Sequence, residues 1–139
     1  MQKIKVVLIE DSVVALQILK DMIQKSGEIE VVGVAYDGIE GLDIIAKTNP
    51  DVICSDLQMP RMDGLEFTKA VMTHFPKPVL IISNAVHPTD VDNIYNLMQA
   101  GAVDFFPKPT SGSPTDYAKL AQSLTQKIKV LALNSTRSR

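Results

Sequence analysis

The strongest constraint on this chain is an alternation. Five short apolar runs, Ile4–Ile9, Glu30–Tyr36, Asp51–Ser55, Pro78–Ser83 and Ala102–Phe106, are separated or followed by stretches whose apolar residues recur at helical spacing. Four of the runs are nearly continuous Val, Ile, Leu, Cys or Phe. A strand that is apolar on both sides must be covered on both faces, as in a parallel sheet lying between layers of helix. The run Glu30–Tyr36 carries a charge at Glu30 and a glycine at Gly33, which places it nearer an edge of the sheet.

The helical stripes are Leu16, Leu19 and Ile23; Ile39, Leu42, Ile45 and Ala46; Leu65, Val71, Met72 and Phe75; Val91, Ile94, Leu97 and Met98; and Tyr117, Leu120, Ala121, Leu124, Ile128 and Leu131. Spacings near three and four let each helix lay one face on the sheet. Gly27 follows the first stripe, Asn49-Pro50 the second, Pro76 and Pro78 the third and Gly101 the fourth, as helix stops should. Short loops between strand and helix imply parallel strands joined by right-handed crossovers. The expected fold is therefore α/β, a flavodoxin-like (βα)5 doubly wound parallel five-stranded sheet of order 2-1-3-4-5. In such a sheet, ligands bind beyond the carboxyl ends of strands 1 and 3.

Composition adds bounds. The 139 residues suit one domain, expected over 1–133, with the polar stretch Asn134–Arg139 as a tail or the start of an interdomain linker. The formal net charge of −2 argues against nucleic acid or an anionic membrane as partner. With Cys54 the sole cysteine, an intrachain disulfide is impossible and a reducing cytoplasm fits. The opening apolar run ends at Glu10-Asp11, too early for a signal peptide or a membrane span.

The acidic residues fall where the expected fold binds ligands. Strand 1 ends in Glu10-Asp11, and strand 3 runs into Asp56-Leu57-Gln58-Met59-Pro60-Arg61-Met62-Asp63-Gly64. Three carboxylates converging on one crevice repel one another unless a positive charge sits among them. A hard divalent cation with oxygen ligands, Mg²⁺ or Mn²⁺, answers that need. Strand 4 ends in Ser83 and strand 5 leads to Lys108, so a hydroxyl and an ammonium approach the crevice from its other side. Carboxylate nucleophile, cation, lysine and hydroxyl are the parts of a phosphoryl-transfer site, with Asp56 as acceptor.

The sequence resembles the receiver domains of two-component response regulators. The resemblance rests on Ile9-Glu10-Asp11-Ser12, the stretch Asp56–Gly64, Ser83, and Phe105-Phe106-Pro107-Lys108-Pro109. It implies that Asp56 is the phosphoacceptor and that Asp11, Asp56 and the Gln58 backbone carbonyl ligate Mg²⁺, with Glu10 acting through water. It implies that Lys108 contacts a phosphoryl oxygen, that Ser83 and Phe105 form the switch, and that the Lys108-Pro109 bond is cis. It further implies a histidine kinase as phosphoryl donor and an output surface on helix 4, strand 5 and helix 5. Asp92-Asn93-Ile94, Ala100–Phe105 and the Ser-Gly-Ser loop after Pro109 are similar to the receiver half of chemotaxis protein-glutamate methylesterases. In that family the receiver restrains a C-terminal esterase domain until it is phosphorylated. Asn84, after Ser83, departs from the small residue common there.

Plainer readings exist for each residue. Asp11 could cap a helix, Glu10 could be a solvated loop acid, Asp56 could form a turn, and Ser83 could satisfy backbone. Other functions also stand beside the methylesterase receiver. One is a stand-alone receiver that works by binding a partner protein. Another is a flavin, nucleotide or phosphatase enzyme on the same sheet. The enzyme reading lacks its motifs: Glu10-Asp11-Ser12 is no Gly-rich cradle, and neither G-x-S-x-G nor H-E-x-x-H occurs. This chain is accordingly expected to be a phosphoacceptor without esterase activity of its own.

Overall fold

The computed structural model describes residues 3–57, 59–83, 95–101, 104–108 and 114–137, with 114, 115 and 134–137 described at backbone level. The elements are β1 (Ile4–Ile9), α1 (Val13–Gln24), β2 (Ile29–Ala35), α2 (Gly38–Thr48), β3 (Val52–Asp56), α3 (Gly64–His74), β4 (Val79–Ser83), β5 (Asp104–Pro107) and α5 (Pro114–Arg137). Residues 95–100, before β5, are helical and form the described part of α4. All strand pairings are parallel, in the order β2-β1-β3-β4-β5, the topology the alternation implies. The charged second run indeed forms an edge strand.

Period-two alternation divides the sheet between two cores. Val6 and Leu8 of β1, Val52 and Cys54 of β3, and Leu80 and Ile82 of β4 face one way, against Leu19 and Ile23 of α1 and Leu124 and Ile128 of α5. Val7 and Ile9, Ile53, and Val79 and Ile81 face the other way, against Ile45 of α2, Phe67 and Val71 of α3 and Leu97 of α4. The central strands are thus buried on both sides, which is why their sequences are continuously apolar.

The details differ from the sequence reading in several places. Strand β2 begins one residue earlier than the expected run, and β3 includes Asp56 as its last residue. On α2, Ile39 is 46% exposed, while Gly38, Gly41 and Ile45 are buried. The helix lies so close to the sheet that a Cβ on Gly41 would stand 2.7 Å from the Ile9 side chain. Glycine therefore takes the inward position that periodicity assigned to a larger residue. On α3 the fully buried Phe67, absent from the expected stripe, is the main anchor. Met98 of α4 is 44% exposed. Val91, Ile94, Ala102 and Val103 lie outside the described residues. The polar residues from Asn134 begin as a continuation of α5, which runs to Arg137.

Candidate functional site

The parallel register builds the site. Ile9 of β1 pairs with Ser55 of β3, so Glu10 and Asp56 follow as the next residues on adjacent strands. Glu10 extends β1 by one bond, its N–H donating to the Ala35 carbonyl at 2.9 Å. Its side chain is only 1% exposed, and Oε2 accepts the Ser12 N–H at 2.9 Å. Ser12 caps α1, its hydroxyl oxygen accepting from the Ala15 N–H at 3.2 Å. That cap starts the helix directly after Asp11, which is exposed.

Asp56 is buried at the end of β3. Its Oδ1 accepts the Leu57 N–H at 2.7 Å. Carboxylate oxygens of Glu10, Asp11 and Asp56 all lie within 4.8 Å of one another. Lys108 enters from the far side of the sheet. Its backbone N–H donates to the Ser83 carbonyl at 2.8 Å, which extends the β4–β5 ladder past Pro107. From there its Nζ lies 3.1 Å from Asp56 Oδ2, as a hydrogen bond, and 2.6 Å from Glu10 Oε1. The second contact is a short ion pair, and Lys108 is the partner that buried Glu10 Oε1 meets among the described residues.

The electrostatics follow from this arrangement. Burial pushes the Glu10 carboxyl above its ordinary pKa; the Lys108 ammonium and the Ser12 N–H oppose the rise, and Asp56 and Asp11 reinforce it. Burial also works against the charged form of Lys108, but Glu10 and Asp56 outweigh it and hold the ammonium pKa above the usual lysine value. Among the described residues, three carboxylates face one ammonium, which leaves excess negative charge in a partly dry pocket. An all-oxygen donor set of three converging carboxylates fits a hard divalent cation. The chain could hold such an ion with Glu10, Asp11 and Asp56.

The structure thus brings together Glu10, Asp11, Asp56 and Lys108 of the expected site residues. Ser83 stands at the end of β4, one residue beyond the Ile82 that pairs with Asp56. Phe105 lies one strand over, paired with Ile81 and partly buried against the second core. Gln58, Asn84 and the Lys108–Pro109 bond expected to be cis lie outside the described residues. Cys54 packs in the first core, where burial pushes its thiol up to about 12, so it is inert at neutral pH.

Of two further contributors, Gly64 belongs to the Asp56–Gly64 stretch already singled out in the sequence, with Asp63-Gly64 expected to shape the turn that opens helix 3, whereas Asp37 had no such expectation. Gly64 closes the loop after Asp56, its N–H donating to the Leu57 carbonyl at 2.8 Å. A Cβ there would stand 2.8 Å from the Leu57 oxygen and 2.9 Å from the Asp56 oxygen, both backbone, so only glycine fits. Asp37 caps α2, accepting the Glu40 N–H at 2.9 Å, and receives the Arg61 guanidinium on its other oxygen. Asp37-x-x-Glu40 before a helical stripe is a legible cap signal, whereas its pairing with Arg61 has no local signature.

An acidic pocket at the switch point of this sheet, faced by a lysine one residue past β5, defines the receiver class. The family model for the response regulator receiver domain matches residues 6–116, and the chain belongs to that family. It is 38% identical over 136 residues, 98% of its length, to a protein-glutamate methylesterase/protein-glutamine glutaminase of Sulfurimonas denitrificans. It is 39% identical over 131 residues, 94% of its length, to the protein of the same name from Pyrococcus horikoshii. The chain covers 38% and 35% of those two proteins, roughly the share of one domain. Among solved structures it resembles the response regulator domain of Thermotoga maritima CheB, with TM-score 0.81 and 31% identity, covering 94% of this chain and 97% of that one. Among the described residues no helix is long and apolar enough to cross a membrane.

Proposed function

We propose that this chain is a phosphorylation-controlled receiver in which Asp56 takes a phosphoryl group from a histidine kinase. The observation that carries the reading is the convergence of Glu10, Asp11 and Asp56 oxygens within 4.8 Å, with the Lys108 ammonium against two of them. Asp11, Asp56 and the Gln58 carbonyl would hold Mg²⁺ or Mn²⁺ directly, and Glu10 would act through water. Such an ion neutralises charge on phosphoryl oxygens, which is most of what phosphoryl transfer requires.

The rest falls to the protein. A carboxylate oxygen of Asp56 forms the new P–O bond while the P–N bond to the donor imidazole breaks, and the leaving nitrogen keeps the electron pair. Lys108, already 3.1 Å from Asp56, swings its ammonium to a phosphoryl oxygen. The Ser83 hydroxyl turns toward the modified Asp56, and Phe105 repacks into the space released. That change biases a pre-existing equilibrium of the face formed by α4, β5 and α5. Because the chain spans about a third of its methylesterase relatives, the effector is proposed to be a C-terminal protein-glutamate methylesterase domain of a longer cytoplasmic chemotaxis protein.

Intact-mass spectrometry after incubation with acetyl phosphate tests the reading. One phosphoryl adduct is expected for wild type with Mg²⁺, and none for Asp56→Asn or with the metal chelated. Absence of an adduct together with absence of beryllofluoride binding would rule out a working phosphorylation site.

A further inference from the structure

The loop that leaves Asp56 is held in an unusual backbone conformation. Arg61 has φ +66°, and the Met62 N–H donates to the Pro60 carbonyl at 2.7 Å, a three-residue turn centred on Arg61. Turns of that kind with positive φ at a residue other than glycine are strained. Such a conformation persists only where its surroundings over-determine it, and here they do so at three points. The Arg61 guanidinium donates through two nitrogens to Asp37 Oδ2, across 24 residues of sequence. Met62 packs on the first residue of α2, where a Cβ on Gly38 would stand 2.9 Å from the Met62 side chain. Gly64 ties the far end of the loop to the Leu57 carbonyl.

Asp37 is suited to be the fixed partner. Its side chain is 8% exposed, and its other oxygen caps α2. The 56% exposed Arg61 is the member that must be held. An ion pair so open to solvent contributes little to global stability. Its consequence is local: it fastens the turn at Pro60–Met62, between Asp56 and α3.

We propose that the Asp37–Arg61 pair is a positioning device, holding the loop after Asp56 in the form that gives the acidic site its affinity for a divalent cation. The inference rests on the reading of that site as cation-dependent. Asp37 and Arg61 touch neither the cation nor the phosphoryl group; they act through the loop.

The test is a Mg²⁺ titration of the whole chain, followed by amide NMR shifts and by the rise in Tm on adding metal. Arg61→Gly removes the side chain while relieving the positive φ, so it remains folded. Asp37→Asn keeps a competent helix cap while removing the charge. Lys129→Ala, which breaks a distant ion pair with Glu28, is the control. Each of the first two variants is expected to weaken Mg²⁺ about 10-fold, the lower end of the effect of partners that orient metal ligands. Their double variant should be no weaker than either single, Arg61→Lys should fall between, and the control should match wild type. Phosphorylation from acetyl phosphate should slow at low Mg²⁺ and recover at saturating Mg²⁺. Mg²⁺ affinities within about twofold of wild type in both single variants, below the smallest effect expected of such partners, would overturn the positioning role while leaving the site reading intact. Failure of wild type itself to bind Mg²⁺ would overturn both.

Discussion

Lys108 Nζ lies 2.6 Å from Glu10 Oε1, joining the residue after the edge strand β5 to the residue after β1 near the sheet centre. This pair holds the acidic pocket together when no other cation is present. Burial alone would drive the Glu10 carboxyl toward its neutral form, and the ammonium opposes that.

Lys108→Ala should therefore destabilise the metal-free protein by about 1–3 kcal/mol at neutral pH, the cost of stranding a buried polar group. The loss should shrink as pH falls and Glu10 takes up a proton, because the stranded charge disappears. It should also shrink in Mg²⁺, which supplies the missing positive charge by linkage. Urea denaturation at pH 7 and pH 5, with and without Mg²⁺, measures all three. An equal loss in every condition would mean that the lysine acts by packing alone.

Asp37 offers the opposite pH dependence. The Glu40 N–H, followed by the Arg61 guanidinium, holds its carboxyl below the ordinary range, against the effect of burial. A depressed carboxyl contributes stability in full above its unfolded pKa of about 3.9 and loses it as pH falls through the lower folded value. Wild type should exceed Asp37→Asn in stability at pH 7, and the two should converge as pH falls below the ordinary carboxylate range. Asp37→Ala, which also loses the cap, should cost about 0.5–2 kcal/mol. A wild-type advantage over the Asn variant that persists unchanged into acid would contradict the charge argument.

Gly64→Ala tests the tight closure of the loop. The added methyl meets two backbone oxygens, which cannot rotate away as a side chain would. A cost of about 1–3 kcal/mol is expected, as for overpacking elsewhere. Slower acetyl-phosphate labelling should accompany it, since the shift falls beside Asp56. Denaturant midpoints and a labelling time course on the same sample decide the matter; a neutral substitution would show that the loop has slack.

Ser83→Ala separates placement from switching. The Ser83 backbone carbonyl, which holds Lys108, is unaffected by the substitution. Labelling of Asp56 should therefore remain within about threefold of wild type, a barrier change of under 1 kcal/mol. The response of the partner or effector domain should weaken. Normal regulation in this variant would remove the Ser83 hydroxyl from the switch.

The sequence by itself determined the fold class, because continuously apolar strands and helical stripes are local patterns that allow few ways to bury both faces of a sheet. It also determined the carboxyl-edge location of Glu10, Asp11, Asp56, Ser83 and Lys108, since each stands at the end of an apolar run. Tertiary structure alone decided which of these touch. Lys108 reaches both Glu10 and Asp56 because three parallel ladders, β1–β3, β3–β4 and β4–β5, set their relative heights. It also decided that Gly41 rather than Ile39 faces the sheet, and that Arg61 bonds Asp37. Periodicity reports which side of a helix is apolar but not how closely it approaches its neighbour. A contact between residues 24 or 52 apart leaves no trace in the pattern around either one.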